Sequence, residues 1–404
     1  MSYPIKSMKK TVLTTFLVLL FVGLASYIFI LYGRGYRLNL GDKGNIVAGT
    51  GLLVLTSTPD GARTYINDNL TTATDDTINL PPGEYDIRIE KDGYYPWKKK
   101  ITLKKEAVTK TDAVLFPTTP KLEATTLLGA EDPIMDESGS FAAYKVSSSS
   151  AENNGIYILS INRPILAIGS SSRQIISDRT DSFSTAKIEF SPDGMSLLAT
   201  ISHETTNRIY LLRTDQTNAE PQNVTFTIAQ VRAQWEELKR QQVEKLTRTL
   251  PQVSRAFMIS YFSGMKTSPE GDKIFYIASE SATMPEFIKP ALPSTNSTPE
   301  NRKLTKGSVY VYQLKEDKNY LFYQPDGISN LPNFIWYPSS SHLIFVEGKR
   351  IVSMEYDGGN KTTLYSGPFD PLFVYPWPDS SGLLIKTNLN DETVPANLYK
   401  VGLR

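Results

Sequence analysis

Side chains able to do acid–base or nucleophilic work are scarce in this chain. It has no cysteine and two histidines, His203 and His342. Thiolate nucleophiles, disulfides and cysteine-ligated zinc are excluded, and two histidines cannot build a multi-histidine metal centre. His203, in "ISHETT", and His342, in "SSHLIF", each sit beside a strand-like run where a structural role accounts for them. The spacings of a nucleophile elbow, a zincin helix and a phosphate-binding loop do not occur. The acidic pairs Asp75–Asp76 and Asp391–Glu392 fall in polar turn segments without the alternating oxygen ligands of a calcium loop. A glycosidase needs only two carboxylates at a set separation, and nothing in the sequence singles out such a pair. The expectation is therefore no catalytic residue, no metal ligand and no cofactor. What remains is binding chemistry. In "YYPWKKK", Tyr94, Tyr95 and Trp97 place aromatic faces beside ammonium groups, a combination that stacks on sugars or meets anionic polymers. The competing reading turns Trp97, Ile101 and Leu103 inward and leaves Lys98, Lys100 and Lys104 to guard a strand edge. Trp235, on a long amphipathic segment, is the fourth candidate binding residue.

Composition sets the frame for these residues. The 404 residues allow two or three domains, and 40% hydrophobic content supports a core. Lys+Arg 43 against Asp+Glu 42 leave a net charge of +1, without the basic excess of a general nucleic-acid binder. Abundant Tyr and Phe together with 25 Gly and 25 Pro fit a β-rich fold with many turns.

The elements that must carry such sites begin with "TVLTTFLVLLFVGLASYIFILY", Thr11–Tyr32, which holds no charge. As a helix it covers roughly the 30 Å of a bilayer's hydrocarbon core. A cleaved signal peptide is the alternative, with Gly23-Leu24-Ala25 as its cleavage site. The apolar run continues through Ile30 and Leu31, longer than a signal h-region, which points to an uncleaved anchor. Lys6, Lys9 and Lys10 precede the span, and Arg34, Arg37 and Lys43 follow it, so the positive-inside count is nearly even. The expected topology keeps residues 1–10 as a cytoplasmic tail and places the rest outside, and the lack of cysteine agrees with export.

From residue 46 to 117 the hydrophobic period is two. "GLLVLTST", "RTYIN", "EYDIRIE", "WKKKITL" and "AVTKTDAVLF" are separated by turn residues. Gly61, Gly83 and Gly93 stand where chain reversals favour positive φ, with Pro59, Pro81 and Pro82 just ahead of them. Five or six strands of this kind make a small β-sandwich. The stretch resembles the PEGA domain. Pro59-Asp60-Gly61-Ala62 is similar to its signature, with Asp in place of Glu. Leu80-Pro81-Pro82-Gly83-Glu84-Tyr85 and Lys91-Asp92-Gly93-Tyr94-Tyr95 resemble the later pair of motifs. The resemblance implies a small β module on a bacterial envelope protein, with a surface or scaffold role.

"PTTPK", 117–121, reads as a stiff linker, and a looser repeat follows it over residues 121–404. "FSPDG", "TSPEG", "WYPSSS" and "PWPDSSG" each precede an apolar strand, and "MDESGS" before "FAAYKV" is a fainter copy. Repeated small antiparallel units are the mark of a β-propeller, because no blade buries both of its faces alone. Five units are visible, and the 121–130 segment, closing on the C-terminus, offers a sixth. The copies resemble the TolB-like and WD-repeat-like propellers of bacterial envelope proteins. The expected fold is thus an all-β ectodomain: an N-terminal transmembrane helix, a PEGA-like sandwich and a degenerate propeller of five or six blades.

Two insertions interrupt the repeat. Residues 227–250 read as a helix, with Ile228, Val231, Trp235, Leu238, Leu246 and Leu250 on one stripe and Pro251 as its end. The stripe either packs on the side or top of the propeller or docks a partner. Residues 281–308 form a proline-rich loop of little periodicity, either draped over the propeller mouth or extended as a tether. Together these features predict a single-pass protein of the bacterial cell membrane with two extracytoplasmic domains. Its expected work is non-catalytic binding or scaffolding toward a protein partner or a cell-wall polymer, without nucleic acid. The alternative is a propeller hydrolase or lyase acting on envelope glycans. Asp, Glu, Tyr and Arg converging on the propeller axis would favour the enzyme, and apolar and small residues there would favour binding.

Overall fold

Apolar residues on every side of the first helix, α1 (Ile5–Gly33), leave it no partner face, and none of its Val12–Ile30 stretch is covered by the rest of the chain. It is long and apolar enough to cross a membrane. The computed structural model describes residues 5–33, 36–38, 47–147, 150–161, 172–204, 206–292, 296–325 and 331–404. The chain divides into two units, one of Met1–Leu115 with Ser294–Thr298 and one of Phe116–Pro293 with Pro299–Arg404.

In the first unit, period-two sequence becomes two facing sheets. One has the order Asp76–Leu80, Gly51–Thr58, Val108–Val114, and the last two of these strands run parallel. The other has the order Asn69–Ala73, Arg63–Ile66, Gly83–Glu90, Trp97–Leu103. Alternate residues point inward: Leu53 and Leu55 from one sheet meet Ile87, Ile89, Trp97 and Ile101 from the other. These two sheets hold seven strands where five or six were expected. The additional pairings come from polar stretches whose alternation is weak, and Asp76, expected in a turn, opens a strand. Gly61 and Gly93 take φ of 64° and 83°, as the reversals require, whereas Gly83 begins a strand.

The second unit contains five four-stranded antiparallel sheets among the described residues. Blade 1 starts at Glu131–Met135, blade 2 at Lys187–Phe190, blade 3 at Phe262–Thr267, blade 4 at Ile335–Trp336 and blade 5 at Val374–Pro376. The sequence repeat has one geometric cause. In every blade the residue just after the first strand donates its amide to the carbonyl five positions on, and accepts from the amide three positions on. These residues are Asp136, Ser191, Ser268, Tyr337 and Trp377. The third position along needs a left-handed backbone in all five turns. Gly139, Gly194 and Gly271 supply it in three, and Ser340 and Ser380 adopt φ of 58° and 62° in the others.

The first strands of blades 1 and 2, and of blades 4 and 5, lie side by side, so these strands are innermost. Blade faces pack pairwise. Ile156 and Ile158 of blade 1 meet Leu197 and Leu212 of blade 2, and Val309 and Val311 of blade 3 meet Leu343 and Phe345 of blade 4. Tyr144 and Leu159 of blade 1 meet Leu384 and Leu398 of blade 5. Residues 121–130 do not make a sixth blade. Leu122–Ala124 is the outermost strand of blade 5, paired with Asn397–Gly402, so the ring is closed by joining the start of the propeller to its last strand. A fourth strand was still missing from that sheet, and only 122–124 supplies it.

One joint differs from the rest. The insertion folds as α2 (Ile228–Thr249), and after Pro251 a second helix, α3 (Gln252–Tyr261), follows. Val231 and Trp235 of α2 cover Leu198, Ile209, Leu211 and Val224 on the blade 2 face turned away from blade 1. Met258 and Phe257 of α3, with Leu250, cover Ile274, Tyr276 and Tyr310 on the blade 3 face turned away from blade 4. The apolar stripe of α2 therefore replaces a blade-to-blade contact, which is why a helix stands between two propeller repeats.

Candidate functional site

The first strands of four blades converge on a cleft of about 850 Å³ at the end where their turns lie. Its wall is made by Met135 of blade 1, Met265 of blade 3, Ile335 and Trp336 of blade 4 and Tyr375 of blade 5, with Pro269, Pro338, Pro376 and Pro378 from the turns. Prolines and apolar side chains leave few polar groups to aim at a ligand. Lys266 is the one cation of the lining. Its Nζ donates to the Phe334 carbonyl at 3.1 Å, and its own carbonyl accepts from Trp336 Nε1 at 3.0 Å. Desolvation holds the Lys266 ammonium below the usual lysine range, and burial pushes the Tyr375 hydroxyl up.

Two carboxylates reach the rim, and one is occupied by its own turn. Asp136 accepts from the amides of Ser138, Ser140 and Phe141 at 3.1, 2.8 and 2.7 Å. A carboxylate with three amide donors is built to hold a turn, and Glu137 beside it has no second free carboxylate across the lining. The arrangement can enclose an apolar or proline-like segment and fix one anion on Lys266. These residues were legible as a pattern, since each stands one to three positions before a repeated turn. The sequence reading dwelt on the turns and did not select them.

The proline-rich loop is fastened to blade 3. Ala282–Thr283 pairs with Lys303–Leu304 at its base. Asp317, buried in blade 3, accepts the Phe287 and Ile288 amides at 2.7 and 2.9 Å and the Tyr312 hydroxyl at 2.8 Å. Burial and the neighbouring Asp317 raise the Tyr312 hydroxyl far above its ordinary value. Arg302 bridges Asp317 and Glu300, and Lys318 adds a second bond to Glu300 at 3.2 Å. Neither draping nor tethering describes the ends of this loop, because a buried ion network from the adjacent strand hairpin holds them.

Of the four residues singled out for binding, three belong to the first unit and Trp235 to the second. Trp97 is 4% exposed and lies in the sandwich core, with Tyr94 packed against it. Tyr95 is 36% exposed. Trp235 is 6% exposed and faces blade 2. The rings of Trp97 and Trp235 are taken up by packing, each within its own unit.

Fold and site define a β-propeller that carries a small β-sandwich module. The family model for the PEGA domain matches that module, over residues 50–119. Among curated proteins nothing matches the chain. Among solved structures, a protein assigned as TolB from Agrobacterium tumefaciens shares 15% identity, covering 68% of this chain and 74% of its own, with a TM-score of 0.21. TolB from Acinetobacter baumannii shares 12% identity over 80% of this chain and 62% of its own, with a TM-score of 0.19. Hydrazine synthase from Kuenenia stuttgartiensis shares 11% identity over 91% and 100%, with a TM-score of 0.21. At these scores the likenesses add nothing to the fold that the five sheets define.

Proposed function

We propose that this chain is a single-pass, membrane-anchored binding or scaffold protein of the bacterial cell envelope, with its bulk outside the cytoplasm and a protein partner or cell-wall polymer as its ligand. The observation that carries the reading is the lining of the convergence cleft. It is proline-rich and largely apolar, with one ammonium and two adjacent carboxylates, of which Asp136 is committed to its own turn. Such a lining encloses a segment of another molecule, and among the described residues it sets no second free carboxylate opposite Glu137, the partner a glycosidase would need. The apolar α1 and the PEGA module support the membrane and envelope parts of the reading.

The test is capture of envelope material by the full chain held in lipid nanodiscs. Half of each envelope fraction is first treated with protease and half is stripped of glycans. Retention abolished by protease identifies a protein partner, and retention abolished by glycan removal identifies a wall polymer. An absence of retention from every fraction overturns the binding reading. Topology is tested separately with Gln216→Cys, which gives a single thiol in a chain that has none. Labelling of intact cells by a membrane-impermeant maleimide is expected, and labelling only after lysis would place the propeller in the cytoplasm.

A further inference from the structure

A second cleft, of about 730 Å³, opens between blades 4 and 5 at the end of the propeller opposite the repeated turns. Three chain segments form it. Gly348 and Lys349 come from the hairpin after the second strand of blade 4, residues 366–371 from the connection to blade 5, and residues 386–390 from the corresponding hairpin of blade 5. The connections are cross-braced. The Asp370 amide donates to the Lys386 carbonyl at 2.8 Å, the Leu372 amide to Asp370 Oδ1 at 3.0 Å, and the Leu389 amide to Thr387 Oγ1 at 2.9 Å. The polar groups around the cleft are therefore held in place before any ligand arrives.

Their chemistry is distinctive. Lys349 is exposed and its ammonium has no carboxylate partner among the described residues. Lys386 stands 3.6 Å from Asp370, a loose contact, and the nearby Asp132 is already engaged by Lys145 at 2.8 Å. Two ammoniums thus face one available carboxylate. Asn388 Oδ1 accepts the Asn390 amide at 3.1 Å, which leaves the Asn388 amide hydrogens and the Asn390 carboxamide for a ligand. Phe369 lines the same cleft and is half-buried, its ring fixed edge-on to Tyr365 at 6.0 Å. Ammoniums, planar carboxamides and one aromatic face together suit a ligand that is anionic, rich in hydroxyls and apolar on the faces of its rings.

We propose that this cleft is a binding site for an acidic saccharide, a hydroxylated chain bearing carboxylate or phosphate groups. Lys349 and Lys386 take the anion, Asn388 and Asn390 take hydroxyls, and Phe369 lies against a ring. The site rests on the reading of the protein as an envelope binder and names the class of polymer it would hold.

The experiment titrates the full chain in nanodiscs with three probes: trigalacturonate for carboxylate, a glycerol-phosphate oligomer for phosphodiester, and maltotriose as the uncharged control. The expected result is saturable binding of at least one anionic probe, with maltotriose weaker by tenfold or more, a ratio of the size expected for charge-assisted contacts. Which anionic probe binds separates the uronate source from the phosphodiester source. Lys349→Gln, at an exposed position, should weaken that binding by roughly fivefold. Asp370→Asn keeps the turn acceptor but removes the competing negative charge, and it should tighten binding. Maltotriose binding as well as the anionic probes, no saturable binding of either anionic probe, or indifference to both substitutions would each overturn the site. If the probes fail while envelope fractions are still captured, the site is wrong and the binder reading stands. If the probes bind in a Lys349-dependent way while the envelope supplies nothing, the site stands and the envelope reading falls.

Discussion

The Arg302 guanidinium lies 3.3 Å from the Asp317 carboxylate, and both side chains are largely shielded from water. Asp317 reaches the same loop a second time through the Phe287 and Ile288 amides. One carboxylate therefore ties both ends of a proline-rich loop to blade 3. Asp317→Ala would leave two backbone amides and the Tyr312 hydroxyl without their acceptor and remove one of the two carboxylates that hold Arg302. The expected cost is about 3–5 kcal/mol, the range for breaking a buried ion pair from one side. Thermal unfolding measures the loss, and limited proteolysis should show new cuts between residues 285 and 302.

Trp235 is the main anchor of α2 on blade 2. Trp235→Ala should destabilise by about 3–5 kcal/mol through the cavity it leaves. Val243, 62% exposed on the same helix, is the control, and Val243→Ser should change stability by less than about 0.5 kcal/mol. Equal effects in denaturant titrations would contradict the placement of α2 against the sheet.

The pair Asp272 and Lys273 predicts a pH response. Burial disfavours the Asp272 charge, but hydrogen bonds from Lys273 at 2.6 Å and Ser268 at 2.9 Å outweigh it, so its folded value is depressed. A depressed carboxylate stabilises the fold above its unfolded value of about 3.9, and the contribution disappears as pH falls through the folded value. The melting temperature of the parent chain should exceed that of Asp272→Asn at pH 7, and the gap should narrow below about pH 4. A gap independent of pH would mean that the charge of Asp272 does not contribute.

Gly155 opens the third strand of blade 1 at φ 138° with the Ile176 carbonyl oxygen pressed against the position a Cβ would occupy. Gly155→Ala should cost about 1–3 kcal/mol from backbone strain, with more if the neighbouring strand cannot give way. Gly139→Ala, where nothing lies within 4 Å, isolates the φ penalty from the clash. Gly155→Ala is expected to lower the melting temperature more than Gly139→Ala, because it adds the clash and a backbone region less open to alanine.

Much of the propeller was written in its turns. The five repeats could be counted because each turn imposes the same two backbone bonds, and even the glycine-free copies at Ser340 and Ser380 keep the shape. That residues 121–130 close on the C-terminus was legible, but that they complete the fifth blade and do not add a sixth was not. Leu122–Ala124 is three residues of ordinary composition, and its role exists only opposite Tyr399–Val401. Pro251 correctly ended one helix, yet the Phe257, Met258 and Tyr261 face of a second helix directly after it went unread. Loop 281–308 shows no period because Asp317 and Arg302 hold its ends through side-chain pairing, which leaves no trace in local spacing. The walls of both clefts come from segments far apart in the chain, so no run of sequence displays either of them.

The closing strand also sets an order in time. A chain made from its N-terminus produces Leu122–Ala124 early and Asn397–Gly402 late. Until the late strand appears, the early one has exposed backbone donors and acceptors and no native neighbour. Such long-range pairing is slow to form and leaves an edge open to misjoining. Synthesis therefore runs through an interval in which four blades can exist and the fifth cannot. Its length is governed by the rate of elongation as much as by the stability of the finished ring.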